Sequence, residues 1–179
     1  MVYLFLADGF EIIEALAPID MLRRAKLDVK TVGVTGRTVN SSCGVEVVAD
    51  ITIDEFEYRN VDAIILPGGM PGTVNLENNS IVQSVIDKAI DDNILICAIC
   101  AAPSILGHKN LLDGIEATAF PGFERELKGA TISDKFVVKS NNIITARGAG
   151  VSVDFGLEIV KALTDEATAE NIRKTIQCQ

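Results

Sequence analysis

Cys100 is the residue of this sequence whose setting most strongly indicates chemistry. It follows an apolar run, Ile94–Ile99, that predicts a strand buried on both faces. The residues from Ala101 to Leu106 predict a helix, since Pro103 falls in a first turn, where proline is tolerated. At such a strand-to-helix elbow, unpaired helix N–H groups stabilise a thiolate. We predict a reactive Cys100 with a lowered pKa; the alternative is a cysteine that packs as a small hydrophobic residue.

Glu14 is a second candidate for chemistry. It lies in a predicted helix that begins after Asp8, which would be the N-cap of a capping box with Glu11, and ends near residue 25. Glu14 shares a helix face with Pro18 and Met21, which is apolar company for a carboxylate. The predicted apolar stripe of this helix consists of Ile12, Ile13, Leu16, Ile19 and Leu22. The pattern alone therefore favours an ordinary surface glutamate.

Gly68 and Gly69 are the third candidate. They follow Pro67 at the end of a predicted buried strand, Val61–Leu66. Adjacent glycines let backbone N–H groups form an anion-binding nest, although a plain tight turn fits the pattern equally well. In a parallel α/β sheet, ligands bind outside the carboxyl ends of the strands. The predicted walls of the site are the turns 9–14, 68–69 and 100–101.

Strands alternate with helices along the chain. Apolar runs predict strands at 2–7, 28–35, 61–66, 94–99, 117–120, 136–139 and 143–146, and a small hairpin at 39–49. Further helices are predicted at 80–91, from 101 onward, at 151–163 and at 167–176. This alternation predicts a mostly parallel α/β sheet, most simply doubly wound, in one domain over residues 1–179.

The Cys97-x-x-Cys100 spacing invites a redox or metal interpretation, but the geometry disfavours both. If residues 97 to 99 are strand, the two Cα atoms lie roughly 10 Å apart, whereas a disulfide tolerates at most about 7 Å. Zinc would need two further ligands, and Cys43, Cys178 and His108 show no paired spacing. We expect Cys97 to be a core residue and expect no metal.

Two other features are weaker. His108, the only histidine, lies about two helical turns beyond Cys100, too far along the helix to act as its base. We expect it to have a structural or surface role. The segment Arg147–Gly150 is similar to a dinucleotide-binding fingerprint but lacks its third glycine, because residue 153 is valine. We interpret this segment as a tight strand-to-helix turn.

Composition argues against several classes of partner. The 179 residues carry a net charge of −9 and a pI near 4.6, which disfavours nucleic acid or an anionic membrane as the main partner. No run reaches the roughly 20 apolar residues of a membrane helix, and the first residues lack the basic region of a signal peptide. The four cysteines are then expected to be reduced thiols in a cytoplasmic protein.

Four segments together carry a family resemblance. They are ADGFEIIEALAPIDMLRRA, DAIILPGG, ICAICAAPSIL and ARGAGVSVDFGLEIVKAL, which lie in this order and span most of the chain. The sequence resembles the ThiJ/PfpI superfamily, and within it the DJ-one branch, which contains the parkinsonism-linked protein deglycase and its bacterial relatives. The resemblance implies a flavodoxin-like, three-layer α/β sandwich and a homodimer.

The same resemblance implies roles for individual residues. Cys100 corresponds to the family's nucleophile-elbow cysteine. Glu14 corresponds to a protonated glutamate that is hydrogen-bonded to the thiolate, in agreement with its apolar setting, because desolvation raises a carboxyl pKa. Gly68, Gly69 and the N–H of Ala101 match the family's oxyanion-hole region.

Three positions depart from the family pattern. Phe120 stands where well-known members of the branch often have a histidine, and Ala101 stands where protease-like members have one. Cys43 stands about where some relatives have an arginine. Without an imidazole, a Cys-His hydrolase has no proton donor for an amine leaving group.

Three hypotheses for function remain. The first is a cysteine-dependent, cofactor-independent enzyme of the glyoxalase III or protein deglycase type, acting on a small reactive 2-oxoaldehyde or a glycated adduct. In it, Cys100 adds to the aldehyde, Gly69 and Ala101 stabilise the oxyanion, and Glu14 moves the proton. The second is a redox sensor or redox-regulated chaperone that uses oxidation of Cys100. The third, a protease or amidase, is disfavoured by the missing histidine.

Overall fold

A computed structural model describes residues 1–178 and places a seven-stranded sheet at the centre of the molecule. In spatial order its strands are β10 (Val137–Ser140), β11 (Ile143–Ala146), β7 (Leu95–Ile99), β6 (Ala63–Leu66), β1 (Val2–Leu6), β2 (Val29–Gly33) and β5 (Ile51–Thr52). Neighbouring strands are parallel except β10 and β11, which form an antiparallel hairpin at one edge. The predicted mostly parallel sheet is therefore confirmed.

Six α-helices and two short strand pairs complete the fold. The helices are α1 (Ile12–Arg24), α2 (Gly72–Asn78), α3 (Ser80–Asp91), α4 (Pro103–His108), α5 (Ser152–Leu163) and α6 (Glu166–Thr175). The strand pairs are β3 (Thr38–Asn40) with β4 (Glu46–Val48), and β8 (Glu116–Ala117) with β9 (Thr131–Ile132). Within residues 1–178, no helix combines the length and the apolar character that spanning a membrane requires.

The strands that support the site lie in the interior of the sheet. Every residue of β1, β6 and β7 is buried, as expected of uninterrupted apolar runs in a parallel sheet covered on both faces. Ile96 of β7 is in register with Ile64 of β6 and Ile143 of β11. The carboxyl ends of these strands therefore meet at one edge of the sheet, which is where such folds bind ligands.

Helices cover both faces of the sheet, and each face has its own core. One core joins the sheet to α1, α5 and α6, through residues such as Leu4, Ile19, Phe155 and Ile172. The opposite core joins it to α2, α3 and α4, through residues such as Phe5, Leu76, Ile86 and Ile105. Because Leu4 and Phe5 are consecutive strand residues, they point to opposite faces. The fold is thus the predicted flavodoxin-like, three-layer α/β sandwich.

The packing of α1 against α5 determines which face of α1 is buried. A Cβ at Gly156 of α5 would lie only 2.9 Å from the Cα of Pro18, so glycine permits a closer approach of the two helices than other residues would. This approach buries the face that carries Glu14 and Pro18. Two residues of the predicted apolar stripe, Ile13 and Leu16, are instead 51% and 38% exposed, so the predicted stripe is wrong at these positions.

The start of α1 also differs from the prediction. Glu11 is the N-cap residue, and its carboxylate accepts a hydrogen bond from the N–H of Glu14 at 2.8 Å. Gly9, with φ of +88°, turns the chain before the helix begins. The predicted Asp8 cap is therefore wrong. Asp8 instead accepts a hydrogen bond from the N–H of Asn40 at 2.8 Å and thereby fixes the turn after β1 to β3.

Short elements account for the other differences. The predicted hairpin at 39–49 is confirmed as β3 and β4. The strand predicted at 117–120 is reduced to β8, which pairs with β9. Helix α2 was not predicted, because a seven-residue segment that begins with glycine and contains two asparagines shows no clear helical periodicity.

Candidate active site

Cys100 lies at a strained elbow between β7 and α4. Its backbone has φ of +66°, in the left-handed region that non-glycine residues rarely adopt. Hydrogen bonds hold this conformation on both sides. The N–H of Cys100 donates to the carbonyl of Ala146 at 2.9 Å, and its own carbonyl accepts from the N–H of Phe120 at 2.8 Å. The predicted elbow is confirmed, and the Cys100 side chain is half-buried at its tip.

Glu14 extends from α1 to the same point. Its side chain is 1% exposed, so the surface position favoured by the sequence pattern is wrong. One carboxyl oxygen, Oε2, accepts a hydrogen bond from the N–H of Gly68 at 2.9 Å. The carboxyl group also accepts from the N–H of Ala149 and is hydrogen-bonded to the side chain of Cys100. Glu14 and Cys100 therefore form a direct acid–thiol pair.

The two glycines of the turn after β6 contact different members of the pair. The N–H of Gly68 orients Glu14, while the N–H groups of Gly69 and Ala101 donate to the Cys100 sulfur. A Cβ at Gly68 would lie 2.6 Å from the Glu14 Oε2 atom and 2.7 Å from the Cys100 Cβ. Only glycine at position 68 leaves room for the contact between the acid and the thiol. The turn is thus a nest of N–H groups rather than a plain connection.

Burial controls the ionisation of both groups. It raises the pKa of Glu14 to about 7. Burial, followed by the neighbouring Glu14 carboxylate, raises the pKa of the Cys100 thiol to about 12, against the lowering effect of the Ala101 and Gly69 N–H groups. The prediction of a lowered Cys100 pKa is therefore wrong for a thiol beside an ionised Glu14, because two anions cannot share this site at neutral pH. Between these two ionisations the pair holds one proton and one negative charge.

A fourth wall of the site, which the local sequence pattern does not predict, comes from the loop after β11. Ala149 in this loop donates its N–H to Glu14. A Cβ at Gly148 would lie 3.8 Å from the Glu14 Oε1 atom. The segment 147–150 is the predicted strand-to-helix turn, but its place at the site depends on β11 pairing directly with β7. Because β7 and β11 are far apart in sequence, only knowledge of the strand order could have predicted this wall.

An open cavity of about 500 Å³ adjoins this fourth wall. It is lined by Phe120, Pro121, Phe136, Arg147 and the segment 148–151. Phe120, the position where the family resemblance led us to expect a histidine, places its aromatic ring in this cavity.

The remaining candidates lie apart from this chemistry. Cys97 is fully buried in β7, which confirms its predicted core role. Cys43 is exposed, with its sulfur 3.3 Å from the Ser41 hydroxyl oxygen. His108 has its Nδ1 atom 2.5 Å from Glu77 and its Nε2 atom 3.1 Å from Glu126, in agreement with a structural role at the surface. Among residues 1–178, no group of three or more histidine, cysteine or acidic side chains is placed to hold a metal ion.

These features define a class: a flavodoxin-like α/β protein with a cysteine on a nucleophile elbow and a buried glutamate in contact with it. The chain belongs to the DJ-1/PfpI family, whose model matches residues 1–162, and to the DJ-1 branch of the ThiJ/PfpI superfamily.

Individual relatives support this assignment. The chain is 31% identical over 172 residues to protein dj-1beta of Drosophila melanogaster, covering 94% of this chain and 92% of the relative. It is 29% identical to a Caenorhabditis elegans protein named glutathione-independent glyoxalase DJR-1.2, covering 93% and 89%. The solved structure of oxidized DJ-1 from Toxoplasma gondii is similar with a TM-score of 0.95 and 32% identity, covering 99% of this chain and 97% of the other.

Proposed function

We propose that this protein is a cysteine-dependent, cofactor-independent enzyme that converts 2-oxoaldehydes to 2-hydroxy acids. The observation that carries the proposal is the position of the buried Glu14 carboxyl beside the Cys100 thiol, where burial raises the pKa of both groups. Such a pair holds a nucleophile and a proton carrier in a single unit, as addition to an aldehyde followed by proton transfer requires. The relative named as a glutathione-independent glyoxalase supports a reaction of this type.

The reactive form has its charge on sulfur and its proton on Glu14. Two N–H groups favour the charge on sulfur, because those of Gly69 and Ala101 donate to the sulfur and lower the pKa of the thiol, while that of Gly68 orients the Glu14 carboxyl. The Cys100 thiolate adds to the aldehyde carbon and forms a hemithioacetal, whose oxyanion the Gly69 and Ala101 N–H groups stabilise. Glu14 gives its proton to this oxyanion, and the resulting carboxylate carries a proton from the former aldehyde carbon to the neighbouring ketone carbon. The hydroxyl proton moves to the former ketone oxygen, which yields a thioester. Water hydrolyses the thioester and releases the hydroxy acid.

The test is the formation of lactate from methylglyoxal by the purified protein without added thiol or metal. We expect turnover by the wild type and none by Cys100→Ser, with Cys43→Ser as the matched control because Cys43 is exposed and away from the pair. Absence of lactate above the Cys100→Ser background would reject the proposal. Glycated amino acids, tested beside free methylglyoxal, show whether deglycation is a direct reaction or follows from loss of the free aldehyde.

Redox sensing is a second candidate function, because a half-buried thiol beside a carboxylic acid is also placed for oxidation. Protonated Glu14 would donate a short hydrogen bond to a sulfinate at Cys100. Intact-mass and peptide analysis after mild peroxide treatment tests this role or that of a redox-regulated chaperone. Addition of two oxygens at Cys100 alone supports it, and equal oxidation of the exposed Cys43 rejects it. A protease or amidase is disfavoured, because the single histidine is held by Glu77 and Glu126.

We also propose that the protein is a homodimer in the cytoplasm. Exposed apolar side chains on α1 and on the β3–β4 hairpin, which are Ile13, Leu16, Val45 and Val48, offer a surface for a second copy. Cys43, Cys97 and Cys100 are free thiols, as expected of a reducing compartment. Sedimentation equilibrium tests the dimer: Leu16→Glu is expected to shift the wild-type dimer to monomer, and a monomeric wild type would reject it.

A further inference from the structure

The cavity beside the loop after β11 has aromatic walls. The rings of Phe120 and Phe136 are both accessible, at 48% and 63% exposure, and both line the cavity. The guanidinium of Arg147 lies over the Phe136 ring, 5.7 Å from its centroid, and holds this ring at the rim. Apart from Arg147, the lining consists of aromatic, aliphatic and glycine residues. Such a lining binds an apolar group rather than a charged one.

The cavity adjoins the acid–thiol pair through Gly148 and Ala149, which line it and lie next to Glu14. A Cβ at Gly148 would lie 3.2 Å from the Phe120 ring and 3.8 Å from the Glu14 Oε1 atom. Because residue 148 is glycine, it contributes no side chain between the Phe120 ring and the Glu14 carboxyl group. The neighbouring Ala149 both lines the cavity and donates its N–H to Glu14. A molecule whose aldehyde carbon lies against the Cys100 sulfur can therefore place its substituent toward Phe120 and Phe136.

The size of the cavity indicates the kind of substituent. Its volume of about 500 Å³ lies within the range of pockets that bind whole small molecules, roughly 300–1,000 Å³. The methyl group of methylglyoxal would leave most of this volume, and both rings, without a contact. An aryl or branched alkyl group would contact both rings, and aromatic pairs contribute beyond the apolar area that they bury.

We propose that the preferred substrates are 2-oxoaldehydes with an aryl or branched alkyl group on the ketone carbon, and that Phe120 and Phe136 determine this specificity. The inference rests on the proposed function for the reaction itself. For phenylglyoxal the product is mandelate: water is added, the aldehyde carbon is oxidised to the acid, and the ketone carbon is reduced to the alcohol. The two changes balance within one molecule, so no external oxidant or reductant takes part.

The kinetic test compares initial rates with phenylglyoxal and methylglyoxal, measured before either aldehyde modifies surface arginines. We expect a higher kcat/KM for phenylglyoxal in the wild type. In Phe136→Ala the ratio of the two kcat/KM values is expected to fall by about tenfold, the scale of losing an apolar contact in a specificity pocket. Phe123→Ala is the matched control, because Phe123 packs against the opposite core and does not line the cavity. Its ratio is expected to equal that of the wild type, since partial unfolding lowers both values equally.

A binding measurement separates failure of this inference from failure of the proposed function. Titration calorimetry with the products mandelate and lactate is expected to show tighter binding of mandelate to the wild type, with the difference lost in Phe136→Ala. If neither aldehyde is turned over but mandelate binds in this way, the aromatic pocket stands and the proposed reaction is wrong. If mandelate binds no better than lactate, or Phe136→Ala leaves both the kinetic ratio and the binding difference unchanged, the inference is overturned.

Discussion

Two clusters of ionisable side chains in this molecule contain carboxylates but behave in opposite ways. At the strand ends, buried Glu14 contacts Cys100, and burial raises the pKa of the carboxyl group to about 7. At the end of α4, the partly exposed His108 lies between Glu77 and Glu126; their hydrogen bonds raise the pKa of His108, and His108 lowers that of Glu126.

The difference lies in solvent access and in the charges that the two clusters bring together. His108 and its carboxylates carry opposite charges that stabilise one another in contact with water, so the cluster is an ion pair. Glu14 and Cys100 would both be anions, and burial of Glu14 leaves little water to stabilise the two charges. They can coexist only by sharing a proton, and a shared proton next to a sulfur atom is what the proposed chemistry requires.

The largest expected effect is on catalysis, when the carboxyl group of the acid–thiol pair is replaced. Glu14→Gln retains the size of the side chain but removes its exchangeable proton. We expect kcat/KM for methylglyoxal to fall by about 10²- to 10⁴-fold, the usual contribution of a positioned acid–base group. Glu126→Gln is the matched control and is expected to keep kcat/KM close to the wild-type value. Equal losses in both variants would show that Glu14 has no special role.

The second expected effect is on stability as a function of pH. The pKa of Glu14 rises from 4.5 to about 7 on folding, so the folded state binds this proton more tightly and stability falls as the pH rises through this interval. The loss amounts to about 3 kcal/mol in the free energy of unfolding. Urea denaturation between pH 4.5 and pH 8 is expected to show this loss in the wild type and not in Glu14→Gln. A parallel pH dependence in the two proteins would contradict the raised pKa.

The smallest expected effect concerns His108. Its pKa is raised on folding, so its ion pairs stabilise the protein below the unfolded pKa of 6.5, and this contribution is lost as the pH rises through the folded pKa. Because the cluster is partly exposed, His108→Gln is expected to cost under about 1 kcal/mol at acidic pH and less in high salt. Urea denaturation with and without salt measures this cost. A loss in the free energy of unfolding as large as that expected for Glu14 would contradict the view that the partly exposed cluster contributes less to stability than the buried one.

Sequence predicts those parts of the fold whose hydrophobic pattern is compatible with only one type of secondary structure. Uninterrupted apolar runs predicted β1, β6 and β7, and the proline after Cys100 predicted the elbow. Helix α2 and strands β5 and β9 were missed because two to seven residues carry too little periodicity. The Asp8 cap failed because the turn at Gly9 delays the helix to Ile12.

The site was predicted only in part, because its assembly depends on tertiary contacts. The cysteine and the glycine turn follow directly from local sequence. The burial of Glu14 does not follow from local sequence. Ile13 and Leu16 are more apolar than Glu14 but are more exposed, because α5 packs closely at Gly156 against the face of α1 that carries Glu14. The contribution of Ala149 depends on the pairing of β11 with β7, which no local pattern specifies.

The shared proton is tested most directly by the pH dependence of Cys100 alkylation, followed by peptide mass analysis so that the exposed Cys43 does not contribute. If the pair releases its first proton near pH 7 and the charge lies on sulfur, the rate of alkylation rises with a midpoint near pH 7 and reaches a plateau above it. In Glu14→Gln the midpoint is expected to move upward. A wild-type rate that rises only toward pH 12, the thiol pKa expected beside an ionised Glu14, would place the charge on Glu14 at neutral pH and contradict the proposed reactive form.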